Sequence, residues 1–381
     1  FTGGLSFFAP GPITPLIIDH YGISHAAASL LTGLVALVHV VSAIPVSTLI
    51  GRVDLKLLIM LGALASSAPL LSFLAADSYP LLLATRVTYG LGFVILFPAS
   101  GPRLMQWFQS RELPLVNGIF ITMTSLGIAT SSFGISPLSG AIGWDAALSV
   151  PGGLSLLAAV AWLVLGRAQI RASESEPSSV MRRLREVLRA RTTLLVVAAD
   201  AGPFALLTVS LAWLPTYYSE VHEMSLAKAG ALMGILSLSG VIALIVASLA
   251  TMRVDRRRPF LLIPGIIVGF AGFGTFLLAD SAAVYLAVVA LGFATWFYLP
   301  ALLTIPMELY PADSSRVAVI FASIMMLGGI VNFIAPLIVG AVADLTGSFV
   351  PGLALFAVLA WGLGVVGFLL PETGPVRRAA G

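Results

Sequence analysis

Long apolar runs of about 20 residues alternate with short polar turns along almost the whole chain. A hydrocarbon core of about 30 Å takes roughly 20 apolar residues per helix. Backbone groups in lipid must bond within their own segment, so the runs predict helices rather than strands. Spans are expected at 1–18, 27–50, 57–76, 80–101, 113–138, 148–166, 193–218, 227–250, 259–279, 284–305, 316–340 and 350–370. Turn-prone words separate them, among them Asp77-Ser78-Tyr79-Pro80, Asp280-Ser281 and Pro311-Ala312-Asp313-Ser314. The fold class expected is an all-α membrane protein with twelve transmembrane helices in two six-helix halves.

The halves repeat one another. Arg52-Val53-Asp54 recurs as Arg253-Val254-Asp255, Ala76-Asp77-Ser78 as Ala279-Asp280-Ser281, and Val150-Pro151-Gly152 as Val350-Pro351-Gly352. Gly90 and Pro98-Ala99 recur as Gly292 and Pro300-Ala301, while Pro15, Ser24 and Gly33 recur as Pro215, Ser225 and Gly234. The matches keep one order at offsets of 200 to 203, which is too long a period for a solenoid. Two fused halves related by a parallel pseudo-two-fold repeat follow: 1–166 and 193–381, joined by a basic linker over 167–192. In a membrane chain this pattern points to a transporter with its substrate between the halves.

Composition and charge sharpen the picture. Hydrophobic residues make up 59% and charged residues 10% of the 381, against roughly 25% charged in soluble domains. Zero cysteines exclude a disulfide framework and a thiolate metal site. Residue 1 already lies in an apolar stretch and the first span is short beside its repeat partner, so the chain is expected to begin inside a longer first helix. The net charge is +3, and every Lys and Arg except Lys228 and Arg86 falls on one side of the predicted spans. By the positive-inside rule that side, with both termini and the linker, is cytoplasmic. The opposite side carries Asp19, Asp77, Asp145, Glu220, Glu223, Asp280 and Asp344. Val180, Leu184, Val187 and Leu188 share a helical face within the linker, which reads either as an amphipathic helix on anionic lipid or as a solvated tether.

With basic loops after spans 2 and 8, the chain resembles the major facilitator superfamily. Gly51-Arg52-Val53-Asp54-Leu55-Lys56 and Met252-Arg253-Val254-Asp255-Arg256-Arg257 are similar to the family's loop motif, with Asp where that motif has Gly. Arg86-x-x-x-Gly90-x-Gly92 matches its span-4 motif. The resemblance implies a cytoplasmic latch built from Arg52, Asp54, Arg253 and Asp255, and a cavity lined by spans 1, 4, 7 and 10. Leu211 to Tyr217, Phe97-Pro98 and Pro137 with Gly143-Trp144 look similar to the cyanate and nitroimidazole porter and anion-cation symporter groups. Nitrate porters carry arginines mid-way in spans 2 and 8, where this chain has His39 and Gly240.

Ionisable groups inside a bilayer are costly and are functional candidates by default. There are three here: His39, Arg86 and Asp200. Rise per residue puts His39 and Asp200 at one depth, with Arg86 roughly 10 Å nearer the outer face. The aligned partner of Arg86 in the second half is Val288, so symmetry is broken at that position. A guanidinium suits an anion through forked hydrogen bonds, and Tyr89 and Phe93 share its helix face. The alternative for Arg86 is a structural bond to backbone carbonyls of neighbouring helices. Asp200 and His39 are candidate proton carriers. Trp296, Tyr298 and Asn332 complete the expected substrate-binding set. Pro10-Gly11-Pro12 and Gly202-Pro203 are expected to break spans 1 and 7.

These readings converge on a secondary active transporter for a small organic or inorganic anion, coupled to protons and working by alternating access. A proton-driven multidrug exporter and a non-transporting receptor are the alternatives. No catalytic constellation appears, and no cofactor, metal or nucleic acid is expected. Partners are a small-molecule substrate, protons and membrane lipid, with the chain acting as a monomer in a bacterial or archaeal cytoplasmic membrane.

Overall fold

The computed structural model describes residues 1–50, 53–107, 113–166, 190–251, 253–254, 256–310 and 314–373. Among them every regular element is helical. In chain order the α-helices are α1 (Thr2–Phe7), α2 (Thr14–Tyr21), α3 (His25–Ala28), α4 (Leu30–Ile50), α5 (Leu55–Ser66, continued by a 3-10 helix over Ala68–Ala75), α6 (Tyr79–Trp107), α7 (Leu113–Ile142) and α8 (Trp144–Leu165). There follow α9 (Arg191–Val221), α10 (Leu226–Thr251), α11 (Pro259–Leu277), α12 (Ala283–Phe297), α13 (Leu299–Leu309), α14 (Ser314–Thr346), α15 (Val350–Ala360) and α16 (Gly362–Leu369). Among the described residues nine helical stretches are long and apolar enough to cross a membrane, which makes this a multi-pass membrane protein. The expected spans 1–18, 27–50 and 113–138 fall on α1–α2, α3–α4 and α7, which are shorter, interrupted or incompletely described. The linker segment 167–189 lies outside the described residues.

The first of those interruptions follows from proline chemistry. Pro10 has no N–H for the Ser6 carbonyl, so α1 stops at Phe7 and a short 3-10 turn, Gly11–Ile13, leads into α2. The second expected break does not occur: α9 runs unbroken from Arg191 to Val221 through Pro203 and Pro215. Packing supports the continuous helix there. Gly202 lies so close to α15 that a Cβ would sit 2.3 Å from the Leu359 carbonyl oxygen, and the neighbouring helix stabilises what the missing N–H loosens. Sharp links are set by left-handed glycines, with Gly143 at φ 89° joining α7 to α8 and Gly347 at φ 68° before α15.

Helix pairs approach through small residues, as membrane interfaces require. Gly4 of α1 and Gly127 of α7 face each other's backbones, with added Cβ atoms 1.9 Å from the Thr124 oxygen and 2.2 Å from the Phe1 oxygen. Gly90 of α6 rests on the Val35 backbone of α4, where a Cβ would lie 3.3 Å away, and Gly292 of α12 on the Leu236 carbonyl of α10, at 2.1 Å. Gly33 of α4 meets the Phe333 ring of α14, and Gly234 of α10 meets the Phe133 ring of α7.

Candidate functional site

The break in the first span creates the need that Arg86 meets. With Pro10 lacking an N–H and the Gly11 N–H turned to the Phe8 carbonyl at 3.0 Å, the Ser6 and Phe7 carbonyls lose their usual helical acceptor role. Arg86 Nη1 donates to the Ser6 oxygen at 2.9 Å and Nη2 to the Phe7 oxygen at 2.8 Å. Its Nε donates to the Leu31 oxygen of α4, also at 2.9 Å. One guanidinium therefore clips α6 to α1 and α4. It is 2% exposed and has no carboxylate partner among the described residues. Three of its five N–H groups are engaged and two remain.

Around it the structure gathers the expected aromatic wall. The guanidinium carbon sits 5.1 Å from the Tyr89 ring centre, and Tyr89 Oη donates to the Gly3 carbonyl. Phe93 lies 6.1 Å from Tyr89, 5.6 Å from Phe7 and 6.0 Å from the His39 ring. Arg86, Tyr89, Phe93 and His39 thus form one cluster, with His39 half-buried at its edge.

A second cluster lies on α9 and the end of α12. Asp200 is 7% exposed, and the Tyr298 hydroxyl donates to its Oδ1 at 2.8 Å. Tyr298 sits where α12 gives way to α13, and no cation pairs with Asp200 among the described residues. Sequence spacing treats Asp200 and Tyr298 as separate candidates, yet here they are one unit. Asn332 of α14 accepts from the Thr208 hydroxyl of α9. Trp296 lies against Gly240 of α10, filling the space a side chain there would need, since a Cβ would meet its ring at 2.3 Å.

The expected latch residues divide. Arg52 and Asp255 lie outside the described residues. Asp54 caps the start of α5, accepting the Leu57 N–H at 3.0 Å, and Arg253 is exposed in the turn after α10. The ion pair at this end is Arg257 with Glu308 of α13, with Nη2 to Oε1 at 2.8 Å and Nε to Oε1 at 3.2 Å. Arg257 also donates to the Thr251 and Val254 carbonyls, and the Thr373 hydroxyl donates to Glu308 at 2.7 Å. Glu372 accepts the Arg257 N–H at 2.6 Å, drawing in the segment after α16. Sequence reasoning missed this knot because only the neighbouring Arg253 and Asp255 fall in the repeated word. Arg257→Ala should cost about 2 kcal/mol, leaving a poorly hydrated carboxylate behind, and Glu308→Gln added to it should recover part of that. Thermal unfolding in detergent checks both; equal stability of all three proteins would contradict the knot.

At the opposite end of the helices the His25 ring lies between two carboxylates. Nδ1 is 2.8 Å from Asp344 Oδ1 and Nε2 is 3.2 Å from Glu220 Oε2. Asp344 also accepts the N–H groups of His25 and Ala26, at 2.9 and 2.8 Å. Hydrogen bonding to Glu220, and then to Asp344, raises the His25 pKa above the ordinary histidine value. His222, just after α9, is engaged by Asp280 and by the Tyr217 hydroxyl.

The model of the Major Facilitator Superfamily matches residues 1–332. The chain is 24% identical over 366 residues to a probable nitrate transporter of Staphylococcus carnosus, covering 92% of this chain and 88% of that one. It is 23% identical to a probable L-galactonate transporter of Escherichia coli, covering 87% and 78%. Among solved structures it is similar to a bacterial homolog of the human lysosomal transporter Spinster, in an inward-facing and unoccupied conformation. That likeness has a TM-score of 0.74 at 15% identity, covers 100% of this chain and 93% of the other, and concerns the fold.

Proposed function

Because this chain belongs to the Major Facilitator Superfamily and is a transporter rather than an enzyme, we propose that it carries a small organic or inorganic anion by proton-coupled alternating access. The carrying observation is a pair of buried charges without an opposite charge among the described residues: Arg86, three of whose five N–H groups are bonded there, and Asp200, whose partner there is the Tyr298 hydroxyl. An anion approaching Arg86 supplies the missing negative charge, with Tyr89 and Phe93 as the wall of its binding site. A proton on Asp200 removes the other imbalance, and its release to the opposite side couples the two movements. His39, at the edge of the Arg86 cluster, is a second proton carrier. Nitrate and L-galactonate, named for two relatives, are both small anions.

Twelve spans in two halves, 1–166 and 193–381, supply the moving parts. Paired contacts support a parallel pseudo-two-fold relation. Gly33 with Phe333 becomes Gly234 with Phe133 when residues are exchanged at the repeat offset, and Gly90 with Val35 becomes Gly292 with Leu236. The bias of Lys and Arg to one side supports a cytoplasmic location for the Arg257 knot, the linker and both termini, with the His25 end outside.

Export of amphipathic drugs is the competing reading, resting on the aromatic residues of α12. Those rings are already engaged: Phe297 stacks on Phe260 at 5.6 Å and on Phe293 at 5.2 Å, and Trp296 is seated on Gly240. Thermal unfolding of the purified protein with nitrate, aldonates or cationic dyes decides. Stabilisation by an anion supports the proposal; stabilisation by dyes alone overturns it.

A further inference from the structure

We propose that His25, Asp344 and Glu220 form a proton-operated clamp that holds one mouth of the transporter shut when His25 is charged. His25 opens α3, at the entrance to α4, whereas Glu220 closes α9 and Asp344 lies near the end of α14. The clamp therefore ties one proposed half to the other. Carboxylates only accept hydrogen bonds, so a ring nitrogen facing each of them must carry hydrogen. With Nδ1 at 2.8 Å from Asp344 and Nε2 at 3.2 Å from Glu220, both nitrogens are donors, and the ring bound in this way is the imidazolium. A neutral ring would turn a lone pair toward one carboxylate and lose that contact.

Each packed element contributes to the ring's surroundings. From α14 the charged group is Asp344, and from the end of α9 it is Glu220. Trp213 of α9 and Phe349, before α15, supply uncharged rings at 5.6 and 5.0 Å. Gly340 of α14 lets the His25 carbonyl approach, where a Cβ would sit 2.8 Å from that oxygen. His222, the other histidine at this end of α9, pairs with Asp280 instead. The side chains are about a quarter to a third exposed, so protons reach them from that side.

The repeat gives an independent argument. Ser24 corresponds to Ser225, so His25 corresponds to Leu226; Val350 corresponds to Val150, so Asp344 corresponds to Trp144. Neither partner has a counterpart able to make this pair. The Gly33 and Gly90 contacts come in symmetric couples with those of Gly234 and Gly292, and the His25–Asp344 pair does not, which marks it as an addition to the shared machinery. His25 is also distinct from the groups assigned to cargo and coupling, and its purpose rests on the transporter reading.

The sign follows from the two states. The closed mouth binds the proton more tightly than the open one, because the carboxylates hold the ring only when the mouth is shut. The clamp's contribution is thus fully present below the ordinary histidine value of about 6.5 and is lost as pH rises through the higher closed-state value.

The test needs no substrate, so its failure would leave the cargo proposal standing. The chain has zero cysteines, and Asp77→Cys with Leu345→Cys places one spin label on each side of the mouth. Distances are read by dipolar spectroscopy on the full chain in nanodiscs, at about pH 5.5 and about pH 8.5, either side of the histidine range. The open-to-closed ratio of the parent should rise up to roughly fivefold at the higher pH, as for a partly exposed ion pair. His25→Gln should show the open-shifted ratio at both values. Glu220→Gln, a milder change, should move the midpoint to lower pH. A parent distribution indifferent to pH, a His25→Gln protein that responds like the parent, or an unmoved midpoint in Glu220→Gln would each overturn the clamp.

Discussion

Replacing Arg86 with alanine is expected to cost roughly 3–5 kcal/mol of stability, seen as a melting temperature lower by roughly 5–15 °C in detergent. The size follows from what the guanidinium does. It satisfies the Ser6 and Phe7 carbonyls exposed by the break at Pro10, and the Leu31 carbonyl besides. Inside a membrane no water replaces those bonds, so three acceptors are left unmade and a long side chain's volume is left empty. Arg86→Lys keeps the charge but cannot fork across three carbonyls, so it should melt between the two. The lysine protein separates scaffold from cargo: residual anion transport at reduced stability indicates that the charge itself attracts substrate. An unchanged melting temperature in Arg86→Ala would sink the carbonyl-clip account.

The second large effect is expected at Asp200. Asn in its place still accepts from the Tyr298 hydroxyl, so folding should survive with a loss within about 1 kcal/mol. What it cannot do is take up and release a proton. Uptake driven by a pH gradient into proteoliposomes should fall by about tenfold or more, while exchange of labelled for unlabelled substrate at equal pH continues. Exchange without accumulation is the signature of a carrier whose coupling group has been fixed in one protonation state. Accumulation equal to the parent's would remove Asp200 from the coupling path and leave His39 as the candidate.

The apolar runs announced most of the helices, because a membrane span needs a length of hydrocarbon side chains that few other structures use. The Arg86 cluster was partly visible as well: Tyr89 and Phe93 follow Arg86 at spacings that share a helix face. What spacing cannot carry is contact between distant segments. Asp200 and Tyr298 lie 98 residues apart and His25 and Asp344 319 apart, and only the packed bundle joins them. The break at Pro10 was legible because that proline is followed by Gly11 and Pro12. At Pro203 the same reasoning failed, since close packing of Gly202 on α15 keeps α9 continuous. Asp54 drew a gating role from its place in the repeated word, and its side chain caps α5. An Asp just ahead of an apolar helical run is itself a cap signal, one that the motif reading overlooked.

Proton-driven anion uptake by the purified chain in proteoliposomes tests the central claim most directly. With an acidic exterior and labelled nitrate or an aldonate, the account predicts accumulation above the equilibrium level, abolished by a protonophore and by Asp200→Asn. Equilibration of every anion without accumulation, with cationic dyes moving against the proton gradient instead, would contradict it.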